Sequence, residues 1–211
     1  NQYKQAFNAL NEQLFIEAIK LFKQAQQSAA QLNFPYSLLR SLKFYNNEYV
    51  SCLDDQGNYT NSWAITEQLL IEILNILPVG STIIELGSGT GTKALCQYYT
   101  VYSVEHNSEW LNQSPAHYIH APLVDDYWYD AQIVAGAIHN LEYDLLLIDG
   151  PPQHRRAGIL DHFALFTRDV PVIFDDIVRP EDSYAMNQLA DQLQKTPKTF
   201  LHGKKGFALI H

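Results

Sequence analysis

Between residues 62 and 194 the hydrophobic pattern switches repeatedly from a helical repeat to short runs of consecutive apolar residues and back, and this alternation restricts the fold more than any other feature. The apolar runs at 81–86, 100–105, 117–121, 143–149 and 170–175 predict strands. The stretches at about 62–77, 91–98, from about 107, 128–140, 155–166 and 181–194 predict helices. Strand and helix in turn imply a mainly parallel sheet covered on both faces. Leu145-Leu146-Leu147-Ile148 is apolar at every position, as a strand buried on both faces requires. Toward the end, "KTFLHGKKGFALIH" sets two short strands around Gly203-Lys204-Lys205-Gly206, which predicts a hairpin. The expected fold is therefore α/β, Rossmann-like and doubly wound, with a mainly parallel seven-stranded sheet that finishes in an antiparallel hairpin.

The first 60 residues have a different texture. Phe7, Leu10, Leu14, Ala18, Leu21 and Ala25 recur at helical spacing among Gln, Asn and Lys, and a second helical stretch runs from Ser37 to about Leu53 after Pro35. No second copy of this pair occurs at a fixed period, so a helical extension serving as a lid or a homodimerisation element is expected at 1–60, with the catalytic domain at 61–211. The turn-rich "DDQGNYTNS" is the expected linker.

A net charge of -9 and a pI near 5.2 argue against a nucleic-acid or membrane-surface binder, because no face carries a continuous basic field. Cys52 and Cys96 lack metal or redox spacing, so reduced thiols in a cytoplasmic protein are expected. No apolar stretch reaches the roughly 18 residues of a membrane span, and Asn1-Gln2-Tyr3-Lys4 begins no signal-peptide core.

"IIELGSGTGTKAL", residues 83–95, is where chemistry enters. A strand stops at Glu85 and is followed by Gly87, Gly89 and Gly91 at the start of a helix. A dinucleotide-binding turn wants Gly or Ala where this chain has Thr92, and Glu85 would set a carboxylate beside a pyrophosphate. A ligand carrying a cation suits Glu85 better. The amino-acid end of S-adenosylmethionine offers an ammonium for Glu85 and a carboxylate for the backbone N–H groups of the turn. Glu105, ending the next strand, could accept hydrogen bonds from both ribose hydroxyls.

"IIELGSGTGT", "VYSVEHNSEW", "YDLLLIDGPP" and "PVIFDDIVRPED", in this order, resemble the class I S-adenosylmethionine-dependent methyltransferases over residues 60 to 211. Within that class, "IDGPP" and "FDDI" are most similar to small-molecule and glycan O-methyltransferases. The resemblance implies that Glu85, Gly87, Ser88, Gly89, Thr90 and Gly91 hold the methionine portion, Glu105 the ribose, and His106 with Ala121-Pro122 the adenine. The acid that the family often carries after the third strand would here be Asp125.

Open α/β sheets bind ligands at the carboxyl ends of their strands. Asp149 ends one strand and Asp175-Asp176 the next, a set of oxygens that a hard divalent cation such as Mg²⁺ could use to collect an acceptor hydroxyl and lower its pKa. Without a metal, Asp149 or His154 is the expected general base. Arg155 and Arg156, two cations at an expected helix start, are expected to meet an acidic group on the acceptor, and Trp63 is placed to cover cofactor or substrate. The expected activity is methylation of a hydroxyl on a small molecule or sugar. N-methylation, or a non-catalytic cofactor-binding module, stands as the alternative.

Overall fold

The computed structural model describes residues 65–202 and 205–211. The expected helical extension at 1–60, the linker, Trp63 and Cys52 lie outside the described residues. Ile65–His211 forms one compact unit.

Seven strands make the sheet. In chain order they are β1 (Thr82–Leu86), β2 (Thr100–Glu105), β3 (His117–His120), β6 (Leu145–Ile148), β7 (Val172–Phe174), β8 (Lys198–His202) and β9 (Lys205–Ile210). A separate two-stranded ribbon, β4 (Leu123–Val124) with β5 (Trp128–Tyr129), lies between β3 and β6 in sequence. Across the sheet the order is β3-β2-β1-β6-β7-β9-β8. Neighbours are parallel from β3 to β7, and β9 runs antiparallel to both β7 and β8. The expected parallel sheet with a reversed terminal strand is therefore the observed one. The order turns back between β1 and β6, so the chain leaves adjacent strands in opposite directions there and opens a crevice at their carboxyl ends.

Among the described residues, five α-helices flank the strands: α1 (Glu67–Ile76), α2 (Thr90–Leu95), α3 (Ala131–Ile138), α4 (Ile159–His162) and α5 (Pro180–Leu193). Their starts follow from local chemistry. Thr66 caps α1 by accepting the Leu69 N–H at 3.1 Å. Asp130 caps α3 by accepting from Gln132 and Ile133. Pro180 opens α5 at a position where its missing N–H costs nothing. The four residues of β6 are all buried, as are Ile83, Ile84 and Leu86 of β1, so the strands that carry the crevice are held by apolar packing on both faces.

Three expected helices differ from the observed structure, and the one expected at 155–166 is α-helical only at Ile159–His162, between 3₁₀ segments at Gln153–Gly158 and Phe163–Leu165. The helix from about 107 is a single 3₁₀ turn at Ser108–Trp110, because Asn107 caps it, Glu109 and Trp110 are exposed, and Asn112 at φ 61° turns the chain away. The helix expected at 128–140 begins only at Ala131. Trp128 and Tyr129 pair instead with Val124 and Leu123 through a turn whose central residues, Asp125 and Asp126, both have positive φ. Asp125 is thus an exposed turn residue. Among the described residues, no helix is long and apolar enough to cross a membrane.

Candidate functional site

The turn after β1 is built around a close backbone approach. Gly87 has φ 91°, and a Cβ placed there would lie 2.8 Å from the Gly150 nitrogen. Gly150 answers in kind, since its own Cβ would lie 2.7 Å from the Gly87 α-carbon and 2.5 Å from the Tyr129 hydroxyl. Gly91 lets α2 sit against Ile65, whose side chain would be 2.8 Å from an added Cβ. The glycine turn and the Asp149-Gly150 segment therefore share a wall of bare backbone.

The turn is also closed on itself. The Gly87 N–H donates to Val104 O at 2.8 Å, the Ser88 N–H to Glu105 Oε2 at 2.8 Å, and the Gly89 N–H to Thr92 Oγ1 at 2.9 Å. These three donors, expected to receive a ligand carboxylate, are engaged by the chain's own acceptors, which corrects that expectation. Thr90 is exposed at the start of α2. Glu85 is 1% exposed beneath the turn and accepts from Thr92 Oγ1 at 2.8 Å and Ser103 Oγ at 2.7 Å. Burial pushes its carboxyl up to about 7, with the two hydroxyls pulling the other way. It is enclosed by hydroxyls, so its influence on a bound ammonium is that of a charge behind a wall. Thr92, which broke the dinucleotide fingerprint, is here the residue that ties Glu85 to the turn.

Glu105 is buried at the end of β2. Its Oε1 accepts from the Asn107 N–H at 2.7 Å and lies 2.8 Å from His106 Nδ1, while Oε2 takes the Ser88 N–H. A carboxylate has about four lone-pair sites, so it retains acceptor capacity for a diol. His106 is partly exposed and stands edge-on to Tyr129 at 6.3 Å. Ala121 is fully buried and extends the β2–β3 pairing by donating to Glu105 O at 3.0 Å, which leaves Pro122, exposed, as the member of that pair able to face a ligand.

On the other side of the shared wall, Asp149, Asp175 and Asp176 come together as expected, with one oxygen from each within 4.8 Å of the others. Burial, and then the Asp175 charge, hold the Asp149 carboxyl well above its usual range; burial raises Asp175 as well. Asp176 reaches this cluster from a left-handed backbone, φ 60°, a conformation that Asp tolerates better than most residues.

Arg156 overturns the role expected of it. It is 2% exposed, and its guanidinium donates to Asp175 O at 2.9 Å and to Asp149 O, with Asp149 Oδ1 at 3.3 Å. A group spent on two main-chain carbonyls inside the protein does not meet an acceptor. Arg155 donates from Nε and Nη2 to the Asp126 carboxylate at 2.7 to 3.0 Å, so that edge of its fork is already filled. His154 is exposed on the 3₁₀ turn Gln153–Gly158, whereas Asp149 lies inside the crevice. Three participants were not singled out from sequence. Arg179 contacts Asp176 Oδ2 and lies 2.9 Å from Asp182 Oδ2, Lys205 lies 3.3 Å from Asp176 Oδ1, and Asp182 is 1% exposed. The acid at the third position of α5 and the lysine of the terminal hairpin were the available signals.

Mg²⁺ fits this donor set poorly as it stands. Asp176 presents one oxygen to Lys205 and the other to Arg179 and Arg156, and Asp149 Oδ1 faces Arg156. Asp175 Oδ1 is buried without a hydrogen-bond partner, and the cations gathered here lie against Asp176 and Asp149 Oδ1.

No family model and no curated protein matches this chain. Solved structures with a similar arrangement include the precorrin-6y C5,15-methyltransferase of Geobacter metallireducens, at 10% identity over 76% of this chain and 96% of that one, TM-score 0.48. A methyltransferase from Pyrococcus furiosus is 14% identical over 81% and 96%, TM-score 0.47. A TehB-like SAM-dependent methyltransferase from Corynebacterium glutamicum is 14% identical over 83% and 97%, TM-score 0.46. Scores of this size carry no residue-by-residue correspondence, and the reading of the site rests on its own geometry.

Proposed function

We propose that this protein is an S-adenosylmethionine-dependent methyltransferase acting on a hydroxyl of a small molecule or glycan. The observation that carries the reading is the bare-backbone wall between Gly87 and Gly150. It brings the glycine turn and the ribose-competent Glu105 to one side, and a partly buried carboxylate with a raised proton affinity, Asp149, to the other.

S-adenosylmethionine, when bound, supplies a methyl group made electrophilic by the adjoining sulfonium. Glu105 orients the ribose, His106 and Pro122 border the base, and the charge of ionised Glu85 favours the ammonium end. Asp149 takes the proton of the acceptor hydroxyl. The raised proton affinity of Asp149 brings its strength as a base closer to what a hydroxyl requires. With the cofactor held there, the deprotonated oxygen would take the methyl group, an O–C bond forming as the S–C bond breaks with its electron pair left on sulfur. The protein's part is alignment and deprotonation.

Calorimetric titration of the chelator-treated protein with S-adenosylmethionine tests this reading. Binding in the micromolar range, weakened at least tenfold by Glu105→Ala and absent for NAD, is the expected outcome. No binding to the intact chain would shift the assignment to a non-catalytic module.

A further inference from the structure

The carboxylates at the ends of β6 and β7 are already supplied with positive charge by the chain itself. Arg156 places its guanidinium between the two strand ends, on the main-chain oxygens of Asp149 and Asp175, and from there lies 3.3 Å from Asp149 Oδ1, 3.6 Å from Asp176 Oδ2 and 3.7 Å from Asp182 Oδ2. Because two of its partners are backbone carbonyls, the fold and not the carboxylates anchors it, and a rotation of any one aspartate leaves it in place. Lys205, from the reversed strand β9, approaches Asp176 Oδ1 at 3.3 Å and is 9% exposed. Arg179 closes the third side, between Asp176 and Asp182.

A divalent ion needs carboxylate oxygens with open coordination positions and keeps water on several others. To use Asp176 at this cluster it would have to displace Lys205 or Arg179, and it would then sit beside a guanidinium anchored on two main-chain oxygens. Four carboxylates, Asp149, Asp175, Asp176 and Asp182, face three built-in cations, Arg156, Arg179 and Lys205.

We infer that Arg156 and Lys205 stand where a metal-dependent enzyme would hold its ion, that the cluster is closed to divalent cations, and that methyl transfer by this protein is metal-independent. The exclusion rests on geometry alone, while the use made of the charge rests on the methyltransferase reading. When the acceptor hydroxyl gives its proton to Asp149, the negative charge left on oxygen is met by the Lys205 ammonium beside Asp176, with Arg156 holding Asp149 through its main-chain oxygen.

The test follows free Mn²⁺ by electron paramagnetic resonance as it is added to the chelator-treated full chain. The expected result is no saturable uptake up to about 1 mM, the weak end of protein sites for such ions. Lys205→Met removes one cation from the rim without disturbing Arg156, and is expected to tighten Mn²⁺ binding at least tenfold, a gain that a further Asp175→Asn abolishes. Saturable uptake by the unaltered chain, lost in Asp176→Asn, would overturn the inference, and so would a Lys205→Met protein that folds but gains nothing. S-adenosylmethionine is titrated into the same samples. Uptake that is the same with and without Mn²⁺ supports both readings. Its absence removes the methyltransferase reading and with it the role given to the charge, leaving the Mn²⁺ results to decide the exclusion.

Discussion

Glu85 was legible as a carboxylate beside the glycine turn, but its working state was not. Ser103 lies on the neighbouring strand, directly opposite Glu85 in the β1–β2 register, and only that pairing brings its hydroxyl to the carboxylate. The enclosure has a consequence for pH. Burial lifts the folded carboxyl from 4.5 to about 7, so the folded chain binds this proton more tightly than the unfolded one. That contribution is fully present below about 4.5, is lost as pH rises to about 7, and is level above it. Urea denaturation of the wild type against Glu85→Gln is therefore expected to show a difference that grows against the wild type across this window, by roughly 3 kcal/mol. A difference independent of pH would mean that Glu85 is ionised in the fold from the outset.

Among the elements, those fixed by local signals were the easiest to read. β2 spans Thr100–Glu105, the residues its apolar run marks out, and α5 starts at Pro180, within a residue of the expected position. The far end of α5 carries a correctable flaw. Its C-cap, Gln194, sits in the left-handed region at φ 55°, ψ 39°, with its N–H on Ala190 O and Asp191 O. A side chain in that region costs about 1 kcal/mol that glycine avoids. Gln194→Gly is expected to raise stability by about 0.5 to 1 kcal/mol in thermal denaturation, less whatever the freer unfolded chain returns. The stretch at 128–140 was harder, because Trp128 and Tyr129 suit the buried face of a helix as well as a strand. The ribbon won because Asp125 and Asp126 adopt positive φ together and Asp130 caps the helix only after it.

For the molecule as a whole, the switch between β1 and β6 decides where everything functional can be. The strand order reverses there while β1 and β6 stay paired to their ends, and the two turns leaving them touch through Gly87 and Gly150. Gly87→Ala would push a methyl to within 2.8 Å of the Gly150 nitrogen and strain a backbone at φ 91°. It is expected to cost more than about 2 kcal/mol of stability and to weaken S-adenosylmethionine uptake in calorimetry, since it prises apart the wall shared by the cofactor and acceptor sides. Full stability in this variant would show that the two turns can separate without loss. The amino-acid sequence by itself determined the α/β class, the order of strands along the chain, the reversed terminal hairpin and the glycine turn with its two acids. Each of these is written in periodicity or in residue types a few positions apart. Tertiary structure alone decided that Arg156 turns inward, that Arg155 is taken by Asp126, and that Lys205 comes to the aspartates. These are partnerships between residues up to 29 positions apart in sequence: those of Arg156 and Lys205 form because the sheet brings the ends of β6, β7 and β9 together, where burial makes an unpaired charge too costly to leave, and that of Arg155 because the β4–β5 turn holds Asp126 beside it.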